Sequence, residues 1–290
     1  MNSVSDIWYD SKDGLRLYAR DYNNTNAQAT ILCLHGLTRN SKDFAYLGEY
    51  LSDRYRVIAV DQRGRGASEY DSDPSRYHPM VYVGDVITLL DHLAIERVIL
   101  IGTSMGGLMS MVLCSMVASR IQAVVLNDIG PDIDPQGLQR IKSYVNSSGS
   151  FLSWEAAVAK VRKDNSHEFP RLTPTQWLEF TQNLYYENEQ GGVQLACDSA
   201  IFRSLNDEQA QSMDLWPFFH SMIPIPTLLI RGASSDILSP DCVEKMKKQK
   251  PDLEFVEVPM CGHAPFLNEP ESIHAIDNFL SALQGNGKLS

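Results

Sequence analysis

The chain has 290 residues, 43% of them hydrophobic and 21% charged, a balance that allows a substantial buried core and excludes global disorder. Its 36 acidic and 25 basic side chains give a formal net charge of -11 at pH 7. That sign argues against a nucleic-acid or anionic-membrane partner, because phosphate binding needs a face rich in Lys and Arg, and it reads instead as solubility.

In chain order, IWYDSKDGLRLYARDY reads as a β-hairpin turning at Asp13-Gly14. The run ATILCLHG is short and almost wholly apolar, as expected of a strand covered on both faces. SKDFAYLGEYLSD follows as a helix with Ser41 as its N-cap and Phe44, Leu47 and Leu51 on one face. Strand RVIAVD, loop QRGRGAS, helix PMVYVGDVITLLDHL, strand RVILIG, helix GLMSMVLCSMVA and strand IQAVVLND continue the alternation. It predicts an α/β fold, a mostly parallel central sheet flanked by helices.

The rhythm breaks at IGPDIDPQG, and from Pro131 to Met222 the pattern is helical, aromatic-rich and without a strand-like run. IPIPTLLIRG then resumes the sheet, followed by helix SPDCVEKMKKQ, strand LEFVEVP and helix EPESIHAIDNFLSAL. The organisation expected is a core in two parts, residues 1–130 and 223–290, interrupted by a helical insertion over 131–222 with proline-rich joints. No signal peptide is visible in MNSVSDIWYD, and GLMSMVLCSMVA has the length of a buried helix and is too short for a membrane span. Five cysteines without a Cys-x-x-Cys pair fit a reducing cytoplasm and neither a disulfide framework nor a zinc site.

Ligands of an open parallel sheet bind beyond the carboxyl ends of its strands. HGLTRN, GTSMGG, GASSD and MCGHAP all sit at such ends and should meet on one edge. They would bring together Ser104 as nucleophile, His263 as the base that takes its proton, and Asp236 as the acid that orients the imidazole. Gly102 and Gly106 would allow a sharp strand-to-helix turn, and the backbone N–H groups of Leu37 and Met105 would hold the developing oxyanion.

With these residues in place the sequence resembles the α/β-hydrolase superfamily, through LHG at Leu34–Gly36, DQRGRGAS at Asp61–Ser68, GTSMGG at Gly102–Gly107, RGASSD at Arg231–Asp236 and GHAP at Gly262–Pro265. The resemblance implies that the insertion is the family's cap over the pocket. It also implies that His35 supports the oxyanion loop without transferring protons. Asp236 stands at the family's commoner acid position, whereas Asp128 in VVLNDIGP occupies the position some relatives use; Asp236 is favoured and Asp128 is the alternative acid. Asp61 and Arg63 read as braces of this edge, and Cys261 as a buried structural thiol.

A serine at the elbow excludes the aspartate-dependent dehalogenase and epoxide hydrolase chemistries of this fold. The reading that remains is a carboxylesterase acting on a small-molecule ester of short to medium chain, located in the cytoplasm, with no cofactor and no metal. The alternatives are a carbon–carbon bond hydrolase of ring-fission products and a slow-turnover ligand receptor. Against the former, Ala264 stands where those relatives usually have Trp. Natural substrate and oligomeric state are not specified by the sequence.

Overall fold

The structure, a computed structural model, describes residues 4–146, 149–204, 213–285 and 287. Eight strands form one sheet in the order β1 (Val4–Asp10), β2 (Arg16–Tyr22), β4 (Arg56–Asp61), β3 (Thr30–Leu34), β5 (Val98–Thr103), β6 (Ile121–Asn127), β9 (Thr227–Gly232), β10 (Glu254–Val258). β1 and β2 pair antiparallel, as does β2 with β4, and every pair from β4 to β10 is parallel. Successive side chains of a strand point to opposite faces, so apolar runs feed two cores at once. In β3, Leu32 and Leu34 enter one core while Ile31 and Cys33 enter the other.

The first core is closed by α2 (Pro79–His92), α3 (Met105–Met116) and α9 (Pro240–Gln249), through residues such as Val86, Met109 and Met246. The second is closed by α1 (Ala45–Leu51) and α10 (Pro270–Gly285), through Leu47, Leu51, Ile276 and Phe279. The expected cap at Ser41 is displaced by one residue. Asn40 accepts the Lys42 N–H at 3.1 Å and starts a 3-10 turn over Ser41–Phe44, while the Ser41 N–H goes to Asp61 Oδ1 at 2.6 Å.

The chain leaves the sheet after Asn127 and returns at Thr227. Between them lie α4 (Pro135–Asn146), α5 (Trp154–Asn165), α6 (Pro174–Leu184), α7 (Ile201–Ser204) and α8 (Trp216–His220). This segment is not wholly helical: β7 (Tyr185–Glu187) and β8 (Val193–Leu195) pair as an antiparallel hairpin. Its turn is built by Asn188, whose Oδ1 accepts the N–H groups of Gln190 and Gly192 at 3.0 and 2.9 Å. Three-residue strands are too short for alternation to reveal them. Ala157, Val161, Phe169 and Trp177 pack the segment into the second core.

Candidate active site

β5 passes into α3 through a turn that only small neighbours permit. A Cβ on Gly102 would lie 2.4 Å from the Gly106 carbonyl oxygen, and one on Gly106 would lie 2.0 Å from that of Leu34. Between them Ser104 adopts φ 52° and ψ -116°, a strained region for any residue with a side chain. The strain is held by hydrogen bonds: Ser104 N–H donates to Asn127 O at 3.0 Å, and its own carbonyl accepts from Gly107 and Leu108 at 2.8 and 3.1 Å.

His263 comes from the loop after β10, and its Nε2 lies 2.8 Å from Ser104 Oγ. Its Nδ1 lies 2.8 Å from Asp128 Oδ2. A carboxylate at Nδ1 fixes the proton there and leaves Nε2 as the acceptor of the serine hydroxyl. Asp128 is fully buried, has φ 59°, and is oriented by the Gly232 N–H donating to Oδ1 at 2.8 Å. Ser104, His263 and Asp128 thus form one hydrogen-bonded line from β5, β10 and β6.

The sequence favoured Asp236 for the place that Asp128 occupies, and the physical reason for the difference lies in the inserted segment. Arg140 of α4 takes both Asp236 oxygens, Nε to Oδ2 at 2.5 Å and Nη2 to Oδ1 at 2.8 Å. Burial opposes ionisation of Asp236, but the Arg140 hydrogen bonds and charge outweigh it and hold the pKa below the usual carboxylate range. Arg140 Nε also lies 3.9 Å from Glu168 Oε1, and Glu168 Oε2 accepts the backbone N–H of His263 at 2.9 Å. Neither Arg140 nor Glu168 belongs to a sequence motif; the one hint was Gly262, where a Cβ would lie 1.5 Å from Glu168 Oε2.

Leu37, which lines the cavity, and Met105, which follows Ser104, carry backbone N–H groups that donate to no atom among the described residues. Met105 is the first residue of α3, where the helix dipole adds to its pull on negative charge. The Leu37 carbonyl is held by buried Arg65, whose Nε donates to it at 2.9 Å. His35, fully buried, bonds Gly36 O through Nδ1 at 2.6 Å and accepts the Gln62 N–H at Nε2, 3.0 Å. Burial pushes its pKa down to about 3, which keeps the ring neutral beside the loop. Asp61 accepts the Ser41 and Ala67 N–H groups, and Arg63 is caged by Asp85, Asp71 and Asp13 at 2.6–3.0 Å, so both brace this edge. Cys261 is buried, and burial raises its thiol pKa.

The cavity over Ser104 measures about 120 Å³ and is shared between core loops and inserted segment. Phe169 and Phe180 of the segment pack on Phe266 beside His263, and the Arg39 guanidinium lies 4.5 Å over the Phe180 ring. Among the described residues no group of three or more His, Cys, Asp or Glu side chains could hold a metal ion, and no helix is long and apolar enough to cross a membrane.

A family model described as alpha/beta hydrolase fold matches residues 29–270. The chain is 34% identical over 259 residues to a 3-hydroxybutyrate-oligomer hydrolase of Cupriavidus necator, covering 87% of this chain and 88% of that protein. It is 30% identical over 256 residues to a 2-(acetamidomethylene)succinate hydrolase of Mesorhizobium japonicum, with the same coverage, 87% and 88%. Among solved structures, an alpha/beta hydrolase from Novosphingobium aromaticivorans superposes with a TM-score of 0.91 at 39% identity, over 97% of this chain and 99% of that one.

Proposed function

Because the chain belongs to the alpha/beta hydrolase fold family and is a hydrolase, we propose that it is a serine carboxylesterase acting on short- to medium-chain esters through an acyl-enzyme on Ser104. The observation that carries this reading is the line Ser104 Oγ to His263 Nε2 to Asp128, with both contacts at 2.8 Å. In the mechanism proposed, Nε2 takes the hydroxyl proton as Oγ attacks the acyl carbonyl, and Asp128 stabilises the imidazolium that forms. The unclaimed N–H groups of Leu37 and Met105 receive the oxyanion; losing one such donor typically lowers turnover by about 100- to 1000-fold. The imidazolium protonates the leaving alcohol, and His263 then deprotonates the water that releases the acid.

A cavity of about 120 Å³ supports a short acyl group. Ester chemistry also fits the name of the Cupriavidus relative, since 3-hydroxybutyrate units are joined through esters. The inserted segment would act as the cap that bounds the pocket, and five unpaired cysteines, all buried, fit a reducing cytoplasm. A second reading, hydrolysis of a bond other than an ester, draws on the Mesorhizobium relative.

The test compares the protein with Ser104→Ala on p-nitrophenyl acetate and butyrate, on the 3-hydroxybutyrate dimer and on a ring-fission dienoate. Repeated turnover of the esters, abolished in the variant, is expected. A single stoichiometric burst would point to a receptor, preference for the dienoate to carbon–carbon hydrolysis, and undiminished activity in the variant would remove Ser104 from the chemistry.

A further inference from the structure

Glu168 lies in the inserted segment between α5 and α6, and its side chain is only 2% exposed. Burying a carboxylate is costly unless partners hold it, so a carboxylate kept at such a place is defined by its partners. Oε2 accepts the His263 N–H at 2.9 Å. The residue's own backbone carbonyl accepts the Gly262 N–H at 2.8 Å, so two consecutive peptides of the histidine loop are bound by one residue. Oε1 is 2.8 Å from His167 Nε2 and 3.9 Å from Arg140 Nε, and Arg140 is in turn clamped to Asp236. Gly262 leaves no room for a Cβ beside Oε2, so the loop and the carboxylate are fitted to each other.

Asp128 and Ser104 hold the two nitrogens of the ring, whereas Glu168 holds the backbone from which the ring projects. We propose that Glu168 is a positioning residue for the base: it fixes the His263 loop so that Nε2 stays on Ser104, which makes catalysis depend on the seating of the inserted segment. Oε2 is taken by the His263 backbone N–H and Oε1 faces His167 and Arg140, so Glu168 is hydrogen-bonded to neither the imidazole ring nor Ser104 Oγ and acts through the loop. The proposal rests on the reading of Ser104 as nucleophile.

Two conservative variants separate hydrogen bond from charge. Glu168→Gln keeps an acceptor oxygen at the same reach and drops the charge; Glu168→Asp keeps the charge and withdraws the oxygen by one methylene. Each is reacted with a fluorophosphonate, whose fluoride is displaced from phosphorus by Ser104 Oγ as His263 takes the hydroxyl proton, and each is assayed on a p-nitrophenyl ester. Misplacing a catalytic group by about 1 Å can cost about 100-fold, so Glu168→Asp should label about 10- to 100-fold more slowly, with kcat reduced alike, KM within about threefold, and Glu168→Gln within about threefold of the wild type throughout. Glu168→Asp labelling at the wild-type rate, or Glu168→Gln falling as far as Glu168→Asp, overturns the proposal. A wild-type protein that does not label at all would remove the nucleophile, a separate result that takes the proposal with it.

Discussion

The ends of β6 and β9 offer the same group to the same place and treat it differently. Beyond β6, Asp128 is fully buried, and one carboxylate oxygen is pinned by the Gly232 N–H, leaving the other to face the imidazole. Beyond β9, Asp236 sits on a loop with its side chain 30% exposed, and Arg140 occupies both of its oxygens. The residue that closes β9, Gly232, is also the one that orients the carboxylate beyond β6. An acid serves an imidazole when the backbone holds its spare oxygen; a bidentate guanidinium diverts it to structure.

The largest expected effect lies in exchanging the two acids for amides. Asp128→Asn should lower kcat by about 10,000-fold, by leaving the imidazole in the wrong tautomer, while Asp236→Asn should cost less than about tenfold. Steady-state rates on one p-nitrophenyl ester decide it, and the reverse order would break the contrast between the two strand ends.

A third strand end, that of β3, sharpens the comparison through stability. His35 binds no proton when folded until the pH nears about 3, against an ordinary value of 6.5, because it is buried. The unfolded chain therefore binds the extra proton between these limits. Its contribution is complete above pH 6.5 and should fall by about 1.4 kcal/mol per pH unit as the pH drops below it. Urea unfolding at stepped pH measures the slope, and His35→Gln should flatten it.

The smallest effect concerns Asp236, whose folded pKa is depressed by Arg140 against the opposing effect of burial. A depressed acid stabilises the fold above its unfolded pKa of about 3.9 and loses that contribution as the pH falls through the lower folded value. Asp236→Asn should therefore cost about 1 kcal/mol at pH 7, a figure modest because the pair is partly exposed, and nothing below the folded value. Thermal melts of both proteins at pH 7 and under acid compare the two, and a gap that persists in acid would separate Asp236 from Arg140.

The central strands β3, β4, β5, β6 and β9 were legible because they are apolar on both faces, and the elbow because glycines flank Ser104 at fixed spacing. The acid was not: Asp128 and Asp236 both follow strands, and what separates them is a backbone turn at φ 59° and a guanidinium 96 positions away in the chain. Glu168 lies in no motif, and its one trace in the sequence is Gly262, against which it packs. The hairpin of β7 and β8 was hidden by its brevity, and the cap at Asn40 by Ser41, an equally good capping residue whose N–H is drawn to Asp61.

His263 is bound to partners 159, 135 and 95 positions earlier in the chain, at Ser104, Asp128 and Glu168. Contacts of such separation close late, after most of the loop entropy has been spent. On the proposed mechanism, a chain synthesised from its amino end therefore carries its serine long before the base proposed to activate it. On that mechanism the nascent protein should stay chemically silent until β10 and the loop after it dock, and reactivity itself becomes a report that they have.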